Sequence, residues 1–70
     1  MYKAVEAQCY DTNGYPVGWS REPIAVSENK ERLAHWMRLE AHLEQIVLVM
    51  LDPAGKAIEW QDGCGPARPL

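Results

Sequence analysis

Residues 2–10, YKAVEAQCY, form a strand-like stretch in which Val5, Ala7 and Cys9 fall on one side. A second strand follows the turn after Tyr10 and ends at Pro23, which cannot donate to a ladder. The spacing then becomes helical. Along ENKERLAHWMRLEAHLEQ, the residues Leu33, Trp36, Met37, Leu39, Ala41 and Leu43 cover a broad apolar arc, with Glu31, His35, Arg38 and His42 opposite. This predicts a helix over 28–44, with Ser27 as N-cap and Glu28 in the positive first turn. Glu40 and Glu44 lie inside the arc and are expected at its rim, since unpaired charges are rarely buried. IVLVML is apolar at every position and reads as a strand with both faces covered.

Two stretches, DTNGYPVGW and DPAGKAIEW, share the pattern Asp-x-x-Gly-x-x-[Val/Ile]-x-Trp. Both fit a type I turn with Asp first and Gly in the left-handed position of a bulge. A three-residue loop at the first turn pairs Cys9 with Val17 and Ala7 with Trp19, which keeps Val5, Ala7, Cys9, Val17 and Trp19 on one face. A two-residue Asn13-Gly14 turn would mix polar and apolar side chains on both faces, so the longer loop is preferred. The second hairpin, by the same rule, pairs Met50 with Ile58 and Leu48 with Trp60. The repeated aspartates and tryptophans are therefore turn residues and core anchors rather than a duplicated active site.

The order is β-β-α-β-β. A right-handed connection from the second strand to the third passes over the first. The expected fold class is α+β: a ββαββ domain over 1–61 whose four-stranded antiparallel sheet, in order 2-1-3-4, carries one helix on one face. Pro16, Gly18, Glu59 and Gln61 suit its two edges. Residues 62–70, DGCGPARPL, hold two Gly and two Pro without periodicity, and a loose tail is expected.

The apolar third strand changes the functional picture. One helix covers one face of the sheet, so the face bearing Val47, Val49 and Leu51, with Tyr10 and Ala57, is left as an apolar surface. Contiguous exposed patches of this kind mark interaction sites, and tyrosine at the margin suits an interface. The expected partner-binding residues are Tyr10, Val47, Val49, Leu51, Ala57 and Glu59. Their partner is another protein or a second copy of the chain, which would complete an undersized core. The competing expectation is that the tail folds back over this face.

Composition narrows the rest. Seventy residues make one domain, and the net charge of −3, with lysine and arginine scattered, lacks a footprint for phosphates. Two cysteines, Cys9 and Cys64, are too few for a disulfide framework and suit a reducing cytoplasm. The longest apolar run has six residues, too few to cross a bilayer. His35 and His42 stand two helical turns apart, about 10.5 Å, beyond chelating reach of one metal. Cys64 has no neighbour in sequence that would activate a thiol. Trp19, Trp36 and Trp60 lack the basic groove of a base-stacking platform. No phosphate loop or metalloprotease motif is present, so neither catalysis nor a cofactor or metal is expected.

In size, acidity and ββαββ pattern the chain resembles the compact proteins with which phages and mobile elements inhibit host machinery, anti-CRISPR proteins among them. The resemblance implies a non-enzymatic inhibitor or regulator that binds protein, working through the apolar sheet face or the acidic helix. The alternative is a dimeric nucleic-acid-binding regulator, which needs folding to assemble a basic patch from Lys3, Arg21, Lys30 and Arg32.

Overall fold

The computed structural model describes all 70 residues. Six strands and one helix follow in the order β1 (Tyr2–Tyr10), β2 (Pro16–Trp19), β3 (Ala25–Ser27), α1 (Lys30–Glu44), β4 (Leu48–Leu51), β5 (Ala57–Gln61) and β6 (Arg68–Pro69). All pairings are antiparallel, and the sheet runs β2-β1-β4-β5-β6, with β3 also on β1. The fold is thus α+β with one helix, but the four-stranded ββαββ description falls two strands short.

The first additional strand comes from a break. β2 pairs with β1 between Ala7 and Tyr10, whereas β3 pairs with Tyr2, Lys3 and Ala4. β4 holds the other edge of β1 at Lys3–Glu6, so β2 and β3 lie end to end along one edge. Hydrogen bonds from Ser20 N to Glu6 O and from Ile24 N to Ala4 O, both 2.9 Å, carry the pairing across the gap. Pro23 interrupts this edge, and the Ser20 hydroxyl accepts the Glu22 N–H at 3.2 Å, turning the chain locally.

Both Asp-x-x-Gly turns form as their residues dictate. The Gly14 N–H donates to Asp11 O at 3.1 Å and the Gly55 N–H to Asp52 O at 2.8 Å. Each aspartate Oδ1 accepts two further backbone N–H groups, from Asn13 and Tyr15 in one turn and from Ala54 and Lys56 in the other. The registers beyond the turns depart from expectation. In the first hairpin Ala7 faces Trp19 as expected, but Cys9 faces Gly18, and both Cys9 and Val17 are exposed. In the second, a bulge between Met50 and Leu51 shifts the ladder by one, so Val49 faces Trp60 and Leu48 faces Gln61.

That slip moves Trp60 to the other side of the sheet. On the helix side, Ala4, Leu33, Met37, Ala41, Leu48 and Met50 make one core. On the far side, Val5, Ala7, Val49 and Trp60 make a second, flanked by Trp19, Val47, Leu51 and Ala57. The second core closes because the sheet curls. Tyr15 adjoins β2 and Trp60 lies in β5, three strand spacings away, or about 14 Å in a flat sheet. Their ring centroids are 5.4 Å apart. Bulges raise local twist, and the ladder shifts register twice in the first hairpin and once in the second.

The C-terminal residues complete the enclosure. β6 pairs with β5, opposing Pro69 to Glu59 and Arg68 to Trp60, and the Leu70 N–H donates to Ile58 O at 3.2 Å. The Arg68 guanidinium lies 4.8 Å from the centroid of the Trp60 ring and pairs with Asp62 at 3.3 Å. Where DGCGPARPL reads as a loose tail, it forms a strap across the last strand. Of the competing expectation, a tail folded back over the apolar face, only the Arg68 side chain over Trp60 is seen, because the backbone of β6 runs beside β5 at the sheet edge. Trp60 Nε1 is buried there without an acceptor, so packing rather than hydrogen bonding holds the indole.

The helix begins later than its sequence suggests. Asn29, not Ser27, is the N-cap, and its side chain accepts the Arg32 N–H at 3.0 Å. Ser27 remains paired with Tyr2 in β3, and its hydroxyl accepts the Asn29 N–H at 3.0 Å. Gln45 ends the helix in the left-handed region, at φ 54°. No helix is long and apolar enough to cross a membrane.

Candidate partner-binding surfaces

The six side chains expected at an interface do not form an open patch. Val49 is 0 % exposed. Val47, Leu51 and Ala57 are half-buried against the second core. Glu59 is half-buried and pairs with Lys30 across to the helix at 3.4 Å. Tyr10 alone stands well exposed. The face left bare by the helix is instead closed within the monomer by Tyr15, Trp19 and Arg68. An amphipathic count of strands and helices misses this, because closure depends on bulges whose positions are not marked by any residue type.

Apolar surface does appear elsewhere. On α1 only Leu33, Met37 and Ala41 are buried, a single stripe at i, i+4 and i+8. Leu39 is two residues from both Met37 and Ala41, so it points about 160–200° away from them on the wheel. It is 53 % exposed, and Leu43, one turn further, is 73 % exposed. The expected arc was too wide, and the i, i+4, i+8 stripe was the signal that separates core from back. Glu40 is half-buried and Glu44 exposed, which places both at the rim, on the Leu43 side of the apolar pair.

On the other side of Leu39 lies a groove of ≈ 460 Å³, lined by His35, Arg38, Leu39, His42 and residues 63–65 of the strap. The strap forms a fixed wall. Gly63 has φ +82°, and a Cβ there would stand 2.8 Å from Ala41 O, so the strap backbone lies directly on the helix backbone. His42 Nδ1 is 3.3 Å from Gly63 O. The Gln61 side chain, buried at the base, donates from Nε2 to Gly65 O at 2.6 Å, and the Cys64 N–H donates to Asp62 Oδ1 at 2.9 Å. Cys64 is exposed in this wall and Cys9 is exposed in β1, outside the groove lining, both as free thiols. Arg38 takes part in neither of the two ion pairs.

A second apolar area follows the β2–β3 edge, where Val17, Ile24 and Val26 are 60 %, 48 % and 48 % exposed. Pro16, Gly18 and Pro23 interrupt it, and such breaks blunt edge-to-edge pairing. Of the four cations that a nucleic-acid surface would need, Lys30 is committed to Glu59. No protein-family model, curated protein or solved structure matches the chain.

Proposed function

We propose that this protein is a small non-enzymatic protein-binding module, an inhibitor or regulator of the kind made by phages and mobile elements. It acts in the cytoplasm, where its two unpaired thiols stay reduced. The contact surface is the outer face of α1 rather than the far face of the sheet. One observation carries this reading: Leu39 and Leu43 stand outward side by side on one uninterrupted helix face, whereas the other run of exposed aliphatic residues, Val17, Ile24 and Val26, lies along a sheet edge broken by Pro16, Gly18 and Pro23. A leucine pair one turn apart on an exposed helix face has no role in folding the monomer, and it is the arrangement with which helices meet partners. The partner is another protein or a second copy of this chain.

Affinity capture from the source cell, compared between wild type, Leu43→Asp and Val17→Asp, tests the reading. A protein retained by wild type and by Val17→Asp but lost with Leu43→Asp is the expected result. Light scattering on the same three proteins reads self-association. Retention of every partner and of the same mass in solution by Leu43→Asp defeats the proposal.

A further inference from the structure

We infer that the groove between α1 and the strap takes an acidic peptide segment that carries an apolar anchor. This rests on the module reading above and names the chemistry of its partner. The chain is acidic overall, with a net charge of −3, yet no carboxylate lines this groove. Its floor and one side hold Arg38, His35 and His42, and Arg38 is a permanent cation with no carboxylate of its own. Glu40 and Glu44 occupy the opposite flank of the leucine pair. Beside the strap this flank of the ridge is therefore cationic, with Glu31 one turn before His35 and outside the groove, while the opposite flank is anionic, and this fixes how a partner lies across it. Leu39 belongs to both the ridge and the groove, so an apolar residue of the ligand meets it while neighbouring carboxylates reach Arg38.

The wall is formed before any ligand arrives. Gly63 seated on the helix, the Gln61–Gly65 hydrogen bond and the Asp62–Arg68 pair hold the strap in place. Binding then orders only the ligand, which lowers its entropic cost. A nucleic acid is disfavoured in the same groove, because one arginine releases few counterions and the surrounding chain repels a polyanion.

Fluorescence anisotropy with a short fluorescein-labelled peptide of alternating glutamate and leucine tests the inference. A lysine–leucine peptide of equal length and an oligo-dT strand serve as comparisons. Saturable binding of the glutamate peptide, about tenfold weaker for Arg38→Glu and for Leu39→Ser and unchanged for Val17→Thr, is expected. Both altered groove residues are exposed, and circular dichroism checks that each variant is folded. Arg38→Gln provides the neutral counterpart and should fall between wild type and Arg38→Glu. Equal binding of the lysine peptide, insensitivity to Arg38→Glu, or tighter binding of oligo-dT overturns the inference. Should the peptide fail while Leu43→Asp still abolishes capture of a cellular partner, the acidic ligand is wrong and the module stands. Failure of both removes both.

Discussion

Gly14, Gly55 and Gly63 all have positive φ, at 82°, 88° and 82°, but under different steric loads. A Cβ at Gly14 or Gly55 would meet nothing within 4 Å, whereas at Gly63 it would meet the Ala41 carbonyl and the His42 N within 3 Å. Alanine at either turn should therefore cost about 1 kcal/mol, the backbone strain alone. Gly63→Ala should cost clearly more, because helix and strap must also separate. Urea denaturation of the three variants gives the ranking, and a Gly63→Ala midpoint at or above that of Gly14→Ala would mean that the strap does not lie on α1. The two turn glycines are legible from four consecutive residues, since Asp and Gly act on their own backbone. The demand on Gly63 is set by a helix about twenty residues away, and no local pattern records it.

At the scale of elements, the start of α1 shows how two adequate signals compete. Both Ser27 and Asn29 are residue types that cap helices. Pairing of Ser27 with Tyr2 keeps its backbone extended within β3, so the cap falls to Asn29 and the hydroxyl of Ser27 braces the approach. Asn29→Ala should then destabilise by about 1 kcal/mol, and Ser27→Ala by roughly half of that, since Asn29 is the cap of the helix itself whereas Ser27 keeps its backbone pairing with Tyr2 without the hydroxyl. Thermal melts followed by circular dichroism distinguish the two, and a larger loss for Ser27→Ala would restore the earlier cap. The hairpins show the same limit. Their turns follow from composition, but the bulge beside Met50 is settled by packing, and it sends Trp60 to the far core. The apolar character of IVLVML was a sound sign that both faces are covered. What covers the second face was read as a partner, whereas the curled sheet and strap supply it from within.

For the molecule as a whole, the strap carries a share of stability out of proportion to its length. A domain of this size draws only about 3–5 kcal/mol from a single core, and here the apolar residues divide between two. Deleting residues 62–70 removes the backbone pairing of β6, the acceptor for buried Gln61 and the cation over Trp60. At about 1 kcal/mol for each hydrogen bond, and more for a buried amide left unpaired, the loss approaches the whole margin. The shortened chain should thus be largely unfolded at room temperature, with tryptophan emission shifted to the red and open to acrylamide quenching. The milder Arg68→Ala leaves the backbone pairing of β6 but uncovers Trp60 and removes the half-exposed ion pair with Asp62, which adds little. It should lower the melting temperature by several degrees, in line with about 1 kcal/mol lost from the ring contact in a domain this small. A truncated protein that melts with wild-type cooperativity at the wild-type temperature would show that residues 1–61 close the far core alone. The wall of the groove would then be an addition to a finished domain, and Leu39 would keep its exposure while losing the surface opposite it.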